Sequence, residues 1–460
     1  MFKLAKGTEI TLQLLQEFLD EHKQEVESRY KPLLDAYMSD HKILHLPKKP
    51  TYKPDNRIVV NFPKYIVDTT NGFFLGNPIK ITSEDAKVAE FVDDIDHYND
   101  QDDNNSELSK ICSIFGKGYE MYYTDERAEL CITYLTPIEA FMVFDDSILE
   151  RPMYFVRRYT DRDGVEWGSI SNVEGVRYFK VSGGLKWLEP EEAKDITEDG
   201  YKKHFFPGVP ATEFVENAEK QGVFEPVMSL VNAYNKAISE KANDIDYFAD
   251  AYLKILGVKL EDDELKAIRD NRIINIYDTS SEKDIVVEFM DKMSNDNAQE
   301  NLLNRLERLI FHIGQTANAS DENFGTNSGI AMLYKIWSTS NKGKNKQRKF
   351  ESGMNRRYML LFGHPSSKVP ADSWVKLEYT FTPNIPQNQL EEAQIAAQLE
   401  GITSHKTQLK ALSIVDNVED ELKAIEEENK APEKTIVDDL MFGNTNNAEG
   451  VTDEQSGLLG

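Results

Sequence analysis

Cysteine is nearly absent from this chain of 460 residues. Only Cys112 and Cys131 occur, inside the apolar phrases KICSIFG and ELCITYL. Two buried, reduced thiols are expected, and a disulfide framework is excluded. Long apolar runs are missing too. No stretch of about 18 uncharged apolar residues occurs, so no membrane-spanning helix and no membrane partner are expected. The opening MFKLAKGTEITLQLLQEFLDEHKQ carries acids and amides where a secretory signal would hold its apolar segment, which predicts no such signal. Positive charge is scarce: 53 Lys and Arg stand against 80 Asp and Glu, a net charge of −27. A surface of that sign repels phosphate, so any nucleic-acid contact must be local or transient.

Signatures of catalysis are also lacking. A phosphate-binding loop needs glycines ending in Lys-Ser/Thr at a helix start. FGKGYE at 115–120 lacks the spacing and the hydroxyl, and GTNSG at 325–329 lacks the lysine. The eight histidines are scattered, with no Ser/His/Asp or Cys/His arrangement visible in sequence. His41 and His45 would align on a helix, but no acidic or cysteine partner stands at ligand spacing and Pro47 closes the segment. A solvated face is expected there. DQDDNN, around 100–105, has the composition of a calcium loop without its glycine and terminal glutamate, and reads as an acidic surface loop. No cofactor, metal or catalytic residue is assigned, and the chain is expected not to be an enzyme.

What is present is periodic. At roughly 150 residues per domain the length predicts about three structural units. Residues 8–46 read as helix, capped by Thr8 or Thr11. RIVVNFPKYIVDTTNGFFLGNPIKI, 57–81, mixes β-branched residues with turn signals at Asn71-Gly72 and Gly76-Asn77-Pro78. SEDAKVAEFVDDIDHYND and Ser106–Phe115 read as helices. Residues 118–190 read as antiparallel hairpins punctuated by Asp163-Gly164 and Gly183-Gly184. From Glu225 to Gly257 no Pro or Gly interrupts a helical pattern on the order of 45 Å long. Its second face carries Asn232, Asn235, Ser239, Asn243 and Asp246, which suits packing on neighbours. A short helix and two short strands, RIINIYD and DIVVEFMD, fill 258–292. Helix returns over 297–319 and again from Ser328 to about Phe362, where Gly343 threatens a bend. Three acidic helical pieces follow Gln387, and the residues after 435 read as disordered. The fold class is α+β, mostly helical.

One window departs from the acidic character. Lys342, Lys344, Lys346, Arg348 and Lys349 fall together, with Tyr334, Trp337, Phe350 and Tyr358 interleaved. Cations with aromatics can grip single bases or phosphates, while a solvated or intersubunit helix face is the plainer alternative.

Several phrases, taken in order, resemble the portal proteins of tailed bacteriophages, of the type in long-tailed phages of Gram-positive hosts. They are NFPKYIVDTTNGFFLGNPIKI, GKGYEMYYTDERAELCITYLTPIEAFMVFDD, FEPVMSLVNAYNKAISEKANDIDYFADAYLKILG and NLLNRLERLIFHIGQTANASDENFGTNSGIAM, spread over about residues 10–430. The resemblance implies a ring of about twelve subunits, or about thirteen when isolated. The ring would sit at the unique capsid vertex of the virion, as a conduit for packaging and ejecting double-stranded DNA, after assembly in the host cytoplasm. It implies a wing over 1–224 and 328–386, stem helices over 225–257 and 293–317, and a clip over 258–292. A tunnel loop over 318–327, a crown over 387–435 and a tail over 436–460 complete the portal fold. Terminase large subunit and head–tail adaptor would dock on the clip, at Arg272, Ile274, Ile276, Val286 and Glu288. Major capsid and scaffold proteins would meet the wing. Asn318, Asp321, Glu322, Asn323, Thr326 and Asn327 would face DNA, the two acids repelling phosphate. The alternatives are a metal-dependent nucleic-acid enzyme built on His41 and His45, and a head–tail connector or scaffold protein without a DNA channel.

Overall fold

The first helix starts at its predicted cap. Thr11 Oγ1 accepts the Leu14 amide, and α1 (Leu12–Glu25) follows a short strand, β1 (Phe2–Leu4). The computed structural model describes residues 2–50, 53–188, 200–249, 253–256, 286–289, 296–318, 329–385, 389–412 and parts of 414–429. They fall in two units, residues 1–384 and 385–460.

The single helix expected over 8–46 is broken. One π-helical turn spans Val26–Tyr30, α2 covers Lys31–Tyr37, and a 3₁₀ turn covers Lys42–His45. Pro32 supplies the reason. It has no N–H for the carbonyl of Ser28, and its ring crowds that carbonyl, so the ladder widens by one residue. The second correction concerns Asn71-Gly72, which is no turn. Asn61 Oδ1 accepts the Lys64 amide, and α3 runs through both residues (Phe62–Leu75), burying Ile66, Val67, Thr70 and Phe74. After β2 (Lys80–Thr82) come α4 (Ala86–Tyr98), capped by Asp85, and α5 (Gln101–Phe115). α5 begins five residues before the expected Ser106. The acidic stretch is therefore helix rather than loop, with Asp102 and Asp103 in the first turn, where the helix dipole favours anions.

The β-rich region builds two sheets. Its strands are β3 (Lys117–Thr124), β4 (Leu130–Leu135), β5 (Ala140–Asp145), β6 (Pro152–Thr160), β7 (Glu166–Ser171), β8 (Val176–Lys180) and β9 (Lys186–Trp187). β10 (Ala211–Val215) follows. One sheet has the order β1-β5-β6-β7-β8-β9 and the other β10-β3-β4. Gly164, Gly183 and Gly184 hold the positive φ their hairpin turns need. The parallel pairing of β1 with β5, Phe2 opposite Val143, carries no local signal in the sequence. One face of the larger sheet packs on α1 through Phe2, Phe18, Phe141 and Val156. The other meets the smaller sheet through Tyr119, Met142, Phe155 and Ala211. Asn99 closes the open edge of β4: its amide bonds the carbonyl of Leu130 and the N–H of Ile132.

α6 (Met228–Ala249) is shorter than expected, about 33 Å at 1.5 Å per residue. Leu253–Leu256 leaves the helical pattern and pairs as β11 with β12 (Val286–Phe289) in an antiparallel ladder. The expected strand RIINIYD lies outside the described residues. The polar face of α6 is used within the chain. Asn235, Ser239 and Asn243 accept the amides of Val60, Ile58 and Asn56 at 2.9, 2.9 and 2.6 Å. Four helical residues rise about 6.0 Å and two extended residues about 6.6 Å, so the two periods run nearly in step. The helix thus grips an extended segment as a neighbouring strand would.

α7 (Asp296–Gly314) lies antiparallel to α6: Ile310 joins the cluster of Val227 and Val231, while Gln299 and Glu300 bond Asp244 and Lys241 near the other end. α8 (Gly329–Phe362) is continuous for 34 residues. Gly343 does not break it. A Cβ there would stand 2.9 Å from the ring of Phe73, so the glycine serves close packing. β13 (Glu378–Thr380) pairs with β2. In the second unit, α9 (Gln389–Gln398) and α10 (His405–Leu409) precede helical residues at 421–429.

Candidate nucleic-acid interface

α8 carries the basic run, and helical geometry sorts it. Thr339, Gly343, Lys346, Phe350, Met354, Arg357 and Leu361 recur at three- and four-residue steps and are buried. Trp337, Asn341, Lys344, Asn345, Arg348, Lys349 and Ser352 form the exposed strip. At 100° per residue the two sets lie on opposite sides of the helix.

Lys346 is therefore not available to a phosphate. It is 1% exposed. Its Nζ donates to Glu216 at 2.8 Å, to Ser113 Oγ at 2.6 Å and to the carbonyl of Ser109 at 3.0 Å, fastening α8 to α5 and the end of β10. Arg357 repeats the device one wall deeper. Its guanidinium spans both oxygens of Glu120, at 2.8 and 2.5 Å, and reaches Asn105 at 2.7 Å. Burial opposes the Arg357 charge, and the Glu120 carboxylate outweighs it, holding the guanidinium above its usual range. Arg356 points to the carbonyls of Val209 and Ala211.

Lys342 has a third role. Its Nζ donates to the carbonyl of Gly314 at 2.9 Å, and Thr339 Oγ1 donates to that of Gln315 at 3.0 Å. The carbonyls of Gly314, the last residue of α7, and of Gln315 just beyond it are thus capped from α8. Burial pushes the Lys342 amine down to about 8. Lys344, Arg348 and Lys349 remain at the surface, none with a carboxylate within 4.0 Å among the described residues. Trp337, 64% exposed, begins the strip. Nothing in the one-dimensional run distinguishes these three cations from the inward ones. Their phase relative to Phe350 and Met354 does.

Of the proposed tunnel loop, Asn318 is described, half-buried and bonded through Nδ2 to Glu307 at 3.3 Å. Asp321, Glu322, Asn323, Thr326 and Asn327 lie outside the described residues. So do Arg272, Ile274 and Ile276 of the proposed docking surface. Val286 and Glu288 stand in β12, opposite Leu256 and Lys254.

The histidine pair does not form a site. His41 is buried, its Nδ1 accepting from Asn235 at 3.0 Å, while His45 is exposed and bonded to Asp40. Among the described residues no group of three or more His, Cys, Asp or Glu could hold a metal ion. Nor is any described helix long and apolar enough to cross a membrane. The site residues that reading by sequence missed are the partners of the inward cations, Glu120 and Glu216. Acids are so common in this chain that a pair separated by over a hundred positions leaves no trace in spacing.

Comparison with known proteins bears on what this architecture is for. The family model described as phage portal protein, SPP1 Gp6-like, matches residues 16–435. The chain is 24% identical over 422 residues to the portal protein of Clostridium phage phiCD119, covering 85% of this chain and 89% of that protein. It is 24% identical over 456 residues to the portal protein of Bacillus phage SPP1, covering 90% and 86%.

Proposed function

Since the chain belongs to the SPP1 Gp6-like family of phage portal proteins, a structural rather than enzymatic family, we propose that it closes into a ring at one capsid vertex and passes double-stranded DNA through its axis. The observation that carries the proposal is the family match across residues 16–435. About twelve copies would close the ring by head-to-tail contacts. In this assignment α6 and α7 are the stem, shortened to Ala249 on its first arm. The β11–β12 pair belongs to the clip, where the terminase large subunit and then a head–tail adaptor would dock. The sheets and α8 form the wing, met by capsid and scaffold proteins. The segment 318–327 is the tunnel loop.

Two features of the chain support this assignment. Antiparallel α6 and α7 are joined through a strand pair, the order expected of a stem carrying a small docking module. A conduit must also not hold its cargo. A cationic wall would bind DNA through counterion release and stall it, whereas an acidic chain with Asp321 and Glu322 in its loop repels phosphate at close range.

Negative-stain microscopy with a native mass tests the ring: closed particles with an axial hole wide enough for a duplex are expected, and a monomer at high concentration would overturn the proposal. Given rings, Asp321→Lys with Glu322→Lys is expected to leave them assembled and to slow or block genome packaging. Normal packaging by that variant would remove the loop from the DNA path.

A further inference from the structure

A ring built from chains of net charge −27 must overcome mutual repulsion. Cations without a local counter-charge mark where the compensation can lie. Lys344, Arg348 and Lys349 are such cations, exposed on one strip of α8 with Trp337 at its head. From Trp337 to Lys349 the strip is about 18 Å long.

A complementary surface lies farther along the same helix. A cleft of about 490 Å³ opens between β2, α4 and the start of α5. Asp93, Asp96, Asp100, Asp102 and Asp103 line it, against one cation, Lys80, and His97. Its position relative to α8 is fixed by Tyr358, which sits on the buried face and donates to Asp96 at 3.0 and 3.2 Å. Burial, partly offset by Arg357, pushes the Asp96 carboxyl up to about 6, and the Asp102 and Glu120 carboxylates add to the rise. Tyr358 stands about 14 Å beyond Lys349 along α8, so strip and cleft are separate patches. A chain cannot bring them together within itself. Copies arranged head to tail can, because such contacts join two different patches on successive subunits.

We propose that the strip of Trp337, Lys344, Arg348 and Lys349 on one copy docks in the aspartate-lined cleft of the next copy. The proposal rests on the ring reading and adds the surfaces that close it. Charge complementarity of this kind sets register and partner choice. It also assigns the exposed cations to protein rather than to DNA.

A charge exchange tests it. One variant carries Lys344→Glu, Arg348→Glu and Lys349→Glu; the other carries Asp93→Lys, Asp102→Lys and Asp103→Lys. Thermal melts first establish that each folds as the unmodified chain does. Each alone is expected to stay subassembled in native mass measurements at low salt. Mixed in equal amounts, they are expected to form rings, alternating and of even subunit number, since each reversed patch then meets its complement. Should the cleft variant melt early, Asp93→Asn with Asp103→Asn replaces it and is expected to weaken association about tenfold. Rings formed by the strip-reversed chain alone, or no recovery on mixing, would overturn the proposal. So would intact strip-reversed rings that have lost binding to a short duplex DNA, which would give the strip to nucleic acid. If the unmodified chain forms no ring, it is the portal reading that fails.

Discussion

Adjacent lysines on one helix have opposite duties, and the difference is one of phase. Lys346 points inward and neutralises Glu216, which is itself buried. Removing one partner of such a pair strands the other charge, at a cost of about 3–5 kcal/mol. Lys346→Met is therefore expected to lower the denaturant midpoint steeply, while Lys344→Met, two residues away on the exposed strip, leaves it unchanged. Equal midpoints would mean that the Glu216 carboxylate finds another partner. The sequence showed five cations in a row and could not say which of them the fold consumes. That information resides in residues far away, Ser109, Ser113 and Glu216, which share no spacing with the run.

The same limit operates between elements. Helices with a cap and a clean stripe were legible: Thr11 and Asp85 start α1 and α4, and the hairpin glycines stand where the turns need them. α3 was not, because its β-branched residues and Asn71-Gly72 mimic strand and turn, and only burial of Ile66, Val67 and Phe74 on one side decides for helix. The polar face of α6 was seen, but its use was not. Asn235, Ser239 and Asn243 satisfy backbone groups of a segment about 180 residues earlier, by a match of helical and extended periods that only the tertiary structure creates. Each of Asn235→Ala, Ser239→Ala and Asn243→Ala is expected to cost about 1–3 kcal/mol. Each should speed hydrogen exchange at its own amide, Val60, Ile58 or Asn56 respectively. Uniform exchange changes across the three would argue against a ladder of separate bonds.

For the molecule as a whole, acid is the expected weakness. His22, His204 and His364 are buried, and burial lowers all three, His22 to about 4. Geometry enforces neutrality in two of them. His204 Nδ1 accepts the Phe206 amide while Nε2 donates to the carbonyl of Asn172, and His364 stands likewise between Ser366 and the carbonyl of His204. A second proton would have to face a backbone donor. The folded pKa lies below the unfolded value of 6.5, so the unfolded chain binds more protons between about 4 and 6.5 and stability falls as pH drops through that window. Asp96, raised to about 6, acts in the opposite sense over the same range. The imidazoles outnumber it, and His22 alone accounts for about 3 kcal/mol by pH 4. The melting temperature is expected to fall on acidification from pH 6.5, and His22→Gln is expected to flatten that slope. A melt independent of pH across the window would show that these rings protonate in place. At this scale the order of elements, and with it the family, was readable from phrases alone, whereas the parallel seat of β1 and the two-sheet packing were not, since both depend on strands far apart in the chain.

The unbroken run of α8 has a mechanical consequence. A rod of 34 residues is about 50 Å long, and buried ion pairs bolt it at Lys346 and Arg357. Its first residue, Gly329, stands about 25 Å from the nearer bolt. A push of about 2 Å on that end turns the rod by only about 5° when it pivots there. The bolts are stiff against such rotation because their hydrogen bonds depend on direction. Whatever strains the N-terminal end is thus delivered, reduced in amplitude and raised in force, to α5 and the smaller sheet.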